Sequence, residues 1–268
     1  MVHVCGSLNK SLCYFRTMGR IFIVTLALLL SARVISQTAV KDSLLFDPHI
    51  SVGYAYQIPG GDMANRFGNN HNIGFGFHFK TRSSWYYGAQ GSYIFGNKVN
   101  QEKGFLQNLK VEGGYILDND GQLSKISIQE RGFTAVLEGG RLFNIIGPNK
   151  NSGLLVLVGG GFLQHKIRIE HQESKIKQLE DDYLKGYDRL TNGPVLKEFI
   201  GYYHMSNNSF INFCIGIEAW QGTPQGRRDL NFDTQTTDNQ KRNDVLIGLR
   251  FDWTLHLYKR MSDNYYYY

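Results

Sequence analysis

The sequence predicts an all-β protein: a single eight-stranded antiparallel transmembrane β-barrel with long external loops and short periplasmic turns. Three observations predict it. Apolar and polar residues alternate with period two over most of the chain beyond residue 46, the mark of strands with two unlike faces. The connections between these segments alternate long and short without exception. Beyond the N-terminal region, no apolar stretch approaches the ~20 residues of a membrane helix. A chain of this kind enters a bilayer only as a closed barrel, in which every backbone polar group finds a partner.

The N-terminal region reads as an export signal. Residues 1–36 carry Lys10, Arg16, Arg20 and Arg33 and no acid, and the apolar run Ile21 to Leu30 is followed by Ser31-Ala32-Arg33-Val34-Ile35-Ser36-Gln37. A basic segment, a short apolar segment and a small residue form the secretory pattern, with cleavage placed after Ser36. Met18 makes a more ordinary start than Met1. Residues 37–46 then form a periplasmic N-terminal segment.

The signal accounts for most of the charge. The 268 residues hold 29 Lys+Arg and 23 Asp+Glu, a net of +6. Without residues 1–36 there remain 25 basic and 23 acidic side chains. A net of +2 gives no reason to expect a nucleic-acid partner. Cys5 and Cys13 leave with the signal, and Cys214 alone excludes an internal disulfide or a cysteine-based metal site. No His-x-x-x-His spacing occurs, so neither a metal nor another cofactor is expected.

The strands follow in order. Ile50, Val52, Tyr54 and Tyr56 alternate with Ser51, Gly53 and Ala55, and Asn72 to Phe79 repeats the pattern. Trp85–Asn97, Gly132–Phe143, Gly153–Glu170 and Pro194–Met205 supply four less regular strands. Ile211 to Glu218 and Val245 to Leu257 complete eight, the last with a large apolar residue at every odd position. The connections 59–70, 98–131, 171–193 and 223–243 are long, while 81–84, 144–152 and 206–209 are short. Outer-membrane barrels have this asymmetry, with turns on the periplasmic side. The barrel therefore spans 47–258, and 259–268 forms a periplasmic C-terminal tail ending in four tyrosines. Residues 173–184 could form a short helix in their loop, and Asp118-Asn119-Asp120-Gly121 reads as a hairpin turn rather than a calcium loop.

Parity alone also fits a soluble lipocalin-like barrel. The membrane arrangement is favoured by aromatics near strand ends (Trp85, Tyr86, Tyr87, Tyr202, Tyr203, Tyr258), by small residues on the faces assigned inward, and by the loop asymmetry. On these features the chain resembles the small eight-stranded outer-membrane barrels, in the style of the OmpA transmembrane domain, over nearly all of 47–258. The resemblance is one of architecture and implies a location in the bacterial outer membrane, in contact with its lipid, without implying an activity.

Two constellations bear on function. Glu138, Lys166, Arg168, Glu198, Glu218, Arg250 and Asp252 fall on the parity assigned to the lumen, with Lys166 expected level with Glu198 and Glu218 close to Arg250. Charges there must pair, so they form either a gated polar channel or, as favoured here, a salt-bridged plug. Separately, His204-Met205-Ser206-Asn207 resembles the His-x-Ser-Asn motif of lipid A 3-O-deacylases. That resemblance implies His204 as general base, Ser206 as nucleophile and Glu218 as the group orienting the base. Against it, the motif flanks a periplasmic turn, and Glu218 lies roughly 20–25 Å along the strand by residue count.

The external loops sum to zero charge. The stretches Gly186-Tyr187-Asp188-Arg189 and Gly226-Arg227-Arg228-Asp229 suit protein or glycan contact but are expected to be solvated loop. The expected role is non-catalytic: a structural or interaction protein, such as an accessory subunit of an envelope assembly or secretion complex, with an envelope protein partner met through the external loops or the C-terminal tail. The deacylase and the narrow pore are the alternatives.

Overall fold

The computed structural model describes residues 44–257 except 101–104, 107, 112, 114, 172–175, 180 and 207–210. The export signal, most of the N-terminal segment, Asn207, Tyr258 and the tail 259–268 lie outside the described residues.

Eight long strands form the wall: β1 (Asp47–Gly60), β2 (Asn70–Lys80), β3 (Trp85–Gly96), β4 (Ile126–Phe143), β5 (Gly153–His171), β6 (Thr191–His204), β7 (Phe213–Gly222) and β8 (Asp244–His256). Each pairs antiparallel with the next, and β8 returns to β1 in a register running from His49↔His256 to Gly60↔Val245. The sheet is closed, so no backbone edge faces lipid.

The alternation in the sequence becomes the two faces of this wall. In β1, Val52, Tyr54, Tyr56 and Ile58 are exposed on the outside, while Ser51, Gly53, Ala55 and Gln57 are buried inside. Phe75, Phe77 and Phe79 of β2 and Ile247, Leu249, Phe251 and Trp253 of β8 continue the outer belt. A soluble barrel would hide such residues; here they meet lipid. Trp85, Tyr87, Tyr202 and Phe213 lie outward near the turn end, but Tyr86 and Tyr203, expected in the same girdle, point into the lumen and are buried.

β4 and β5 have 18 and 19 residues, well beyond the 9–11 that cross a bilayer. Their excess rises above the belt on the side of the long loops, and there the meaning of parity changes. Ile167 and Ile169 turn inward into an apolar core roofed by loops, whereas Lys166 and Arg168 turn outward into water. Their expected place in the lumen is thus corrected. Glu198 is corrected as well: it is exposed on the outer wall, and its neighbour Lys197 is the buried lumen residue. In β6 both parities are apolar, with Val195 and Phe199 inside and Leu196 and Ile200 outside. The pattern there carries no phase.

The long connections fold over the external end. They include helix α1 (Gly61–Arg66) and the short helix α2 (Asp181–Leu184), preceded by a 3₁₀ turn at Lys177–Leu179. A small hairpin pairs Ile116–Leu117 with Leu123–Ser124. Its turn is held by Asp118, whose Oδ1 accepts the Asp120 and Gln122 N–H groups at 3.0 and 2.7 Å, and Gly121 supplies the positive φ of +77°.

Candidate functional site: a filled lumen under a braced cap

An eight-stranded barrel has an interior just wide enough for side chains to fill it. Glycines make room here for long polar groups. A Cβ on Gly53 would lie 1.8 Å from Asp252 Oδ1, and one on Gly88 would lie 2.0 Å from His78 Cδ2. Two networks cross the middle of the lumen. In the first, Glu138 accepts hydrogen bonds from Lys197 Nζ and His78 Nε2, both at 2.7 Å. Lys197 also donates to Gln90 and lies 5.4 Å over the Trp220 ring. In the second, Arg250 Nε meets Asp252 at 2.8 Å and Nη1 meets Glu218 at 3.3 Å, while Gln57 donates to Glu218 at 2.7 Å. The cavity between the two networks measures about 20 Å³. That is room for about one water.

At the periplasmic end, Asp47 opens β1 and His256 closes β8, and their side chains meet at 2.8 Å. Tyr203 donates to Asp47 at 3.2 Å, and His49 lies 3.3 Å from the same carboxylate while its Nε2 is 2.6 Å from the Tyr86 hydroxyl. Asp47, His49 and His256 bring one ligand atom each within 4.8 Å of one another, so these three could hold a metal ion. In the described arrangement the Asp47 carboxylate serves hydrogen bonds that tie the first strand to the last. Lys80 closes this end by donating to Asn151 Oδ1 at 2.9 Å and to the Leu45 carbonyl at 3.0 Å.

The external end is closed by the loops. Met63 and Phe67, then Phe105 and Leu106, then Ile176 and Tyr187, together with Phe232, join Ile94, Ile167 and Trp220 of the wall in one apolar core. Four connections thus meet above the lumen. Ion pairs brace them: Asp188 receives Arg228, with Nε at 2.7 Å, Asp233 receives Arg189, and Asp238 receives Arg242 and Arg66. Arg66, at the end of α1, is buried and also donates to Thr191 at 2.8 Å. Burial, reinforced by the neighbouring Arg242, pushes its guanidinium down to about 10. Of the two charged stretches expected as solvated loop, the first is internal, with Tyr187 and Asp188 buried, and from the second Arg228 reaches in to Asp188 while Arg227 and Asp229 stay exposed.

Of the charges assigned to the lumen, the structure brings together Glu218, Arg250 and Asp252, and pairs Glu138 with the unanticipated Lys197. Lys166, Arg168 and Glu198 stay outside. Lys197 was hidden because it adjoins Glu198 and one of the two must face out; only the register through Gly159 decides which. The deacylase set does not assemble. His204 points outward and stacks on Phe213 with ring centroids 5.0 Å apart, whereas Glu218 is buried in the lumen on the other face of the wall. His204 is level with Phe213, five residues from Glu218, or roughly 17 Å along the strand. Ser206 lies in the turn beyond, its N–H held by Asn212 at 2.7 Å.

A closed barrel of even strand number, an apolar outer belt and a polar filled interior together define a transmembrane β-barrel of the outer-membrane type, and the outer membrane is its location. No protein-family model and no curated protein sequence matches the chain. Among solved structures, it is similar to Ail, the attachment invasion locus protein of Yersinia pestis, at 11% identity, with 78% of this chain and 99% of that one covered and a TM-score of 0.36. Neisserial surface protein A is similar at 7% identity, covering 78% and 96%, with a TM-score of 0.38. OprG from Pseudomonas aeruginosa is similar at 12% identity, covering 82% and 100%, with a TM-score of 0.33. The class assignment rests on the chain's own register and belt.

Proposed function

We propose that this protein works without catalysis, as a structural or interaction protein that displays a rigid cap on the cell surface, in the manner of an accessory subunit of an envelope assembly or secretion complex. The observation that carries this reading is the cap itself. Four connections share one apolar core and are locked by Arg66, Arg189, Arg228 and Arg242 on three aspartates. Loops that only join strands need no such bracing, whereas a binding surface gains from being ordered in advance. Transport is disfavoured by a lumen crossed by two ion-pair networks. Hydrolysis is disfavoured by the separation of His204 from Glu218.

The test is affinity isolation of the tagged protein in mild detergent, beside the Asp188→Asn variant, which loosens the Arg228 strut while leaving the wall intact. The reading predicts a stoichiometric envelope protein with the native chain and at least a several-fold loss with the variant. Equal recovery from both, or no partner from either, would remove the cap as the functional surface.

A further inference from the structure

The groups that the lumen does not use form a site on the outer wall. Arg131 of β4 and Lys166 of β5 are directly opposed in the sheet register, and Arg168 follows on the same face. Like charges in direct cross-strand opposition repel one another. Among the described residues, Glu170 is the acid on this face; it pairs with Arg168 at 2.8 Å in an exposed, weak contact, and no ion pair engages Arg131 or Lys166. Arg131 spends one guanidinium nitrogen on the Glu130 carbonyl at 2.7 Å and another on Gln129; Lys166 is exposed.

The position is as telling as the charge. Outward residues of β5 run Leu154, Val156, Val158, Gly160 and Phe162 before turning polar at Gln164, and those of β4 run from Leu137 through Ala135 to Phe133 before Arg131. The two strands change at the same level, since Phe133 pairs with Gln164 and Arg131 with Lys166. The cations therefore stand one step above the hydrocarbon edge, at headgroup height, on the side of the long loops. A groove of about 690 Å³ opens there, floored by Tyr93 and Phe133 and walled by Leu184 of the cap. Asp188 also borders it but is committed to Arg228.

We propose that Arg131, Lys166 and Arg168 bind the phosphate groups of a phosphorylated outer-leaflet glycolipid of the lipid A type, with its acyl chains lying along Phe133 and Phe162. A doubly charged phosphate between Arg131 and Lys166 converts their repulsion into two charge-assisted hydrogen bonds. The aromatic floor below suits the boundary between sugar and acyl chain. The inference rests on the cap facing outward, as in the proposed function.

The test uses the purified full-length mature protein in phosphatidylcholine nanodiscs, titrated with diphosphoryl lipid A, with the same lipid freed of its phosphates, and with phosphatidylglycerol, and read by native mass spectrometry and thermal melting. Diphosphoryl lipid A is expected to bind and raise Tm. Phosphate-free lipid A and phosphatidylglycerol should bind at least tenfold more weakly, as should the diphosphoryl form to the Arg131→Gln/Lys166→Gln double variant. Lys166→Arg should retain binding, which separates loss of the site from loss of the fold. Equal binding by the double variant, by phosphate-free lipid A or by phosphatidylglycerol would overturn the assignment. Labelling of Thr237→Cys in whole cells tests the orientation separately, because Cys214 is buried and silent. Failure to label would sink the cap reading whatever the titration shows.

Discussion

Lys197 and Glu138 meet at 2.7 Å across the inside of the barrel although their strands are not neighbours. Between β4 and β6 runs β5, and the residue of β5 in register with both is Gly159. A Cβ there would lie 2.9 Å from Glu138 Cβ. The absent side chain lets two charged groups bridge over an intervening strand. This explains Gly159, the first of three consecutive glycines in an uninterrupted strand; at Gly161 a Cβ would instead lie 2.0 Å from the Ala135 carbonyl oxygen.

The pair should dominate the stability of the lumen. Glu138→Gln leaves Lys197 buried without its counter-charge and weakens the acceptor of His78. Removing one partner of a buried pair costs about 3–5 kcal/mol. Urea unfolding in lipid vesicles should show a loss of that order, and Glu138→Leu combined with Lys197→Met should recover much of it. A loss below about 1 kcal/mol in the single variant would mean the pair is not desolvated as described.

Glu198 predicts a change of the opposite sign. It faces outward between Val158 and Ala219, seven residues from the top of β6 and six from its base, and is thus near mid-membrane. Among the described residues, no cation or hydrogen-bond donor contacts it. An acid facing hydrocarbon at that depth costs about 1–2 kcal/mol, less than Arg or Lys would. Glu198→Leu should therefore stabilise the isolated protein in bilayers by a similar amount. Destabilisation would show that the carboxylate has a favourable partner in the wall.

What the sequence made legible, and what it hid, follows from where each strand sits relative to lipid. β1, β2 and β8 cross the bilayer with one clean apolar face, so Tyr54, Phe77 and Phe251 disclose both the strand and its orientation. β6 is apolar on both faces, because Val195 and Phe199 pack inside a lumen that is not uniformly polar, and its phase is fixed only by pairing with β5. The upper part of β5 alternates cleanly and still misleads. Above the membrane the apolar Ile167 and Ile169 belong to the roofed interior, and Lys166 and Arg168 to water. The braces of the cap were illegible for another reason: Asp188–Arg228 and Arg189–Asp233 join loops about 40 residues apart, and composition alone records only that their charges cancel.

The turn motif carries its own prediction. With His204 stacked outside on Phe213 and Glu218 held inside by Arg250 and Gln57, the base and the carboxylate that the motif requires lie on opposite faces of the wall. Mass spectrometry of lipid A from cells making the native chain or Ser206→Ala should give identical acylation patterns. A missing acyl chain that returns with Ser206→Ala would require the turn to rearrange into a different site.

The filled lumen is the claim on which the rest depends, and planar-bilayer conductance of the purified barrel tests it most directly. With Glu138, Lys197, His78, Arg250 and Asp252 packed around a cavity of about 20 Å³, the barrel should show no steady open state across the physiological voltage range. Reproducible, long-lived unitary openings from the native protein would contradict the plug and return the protein to the class of pores.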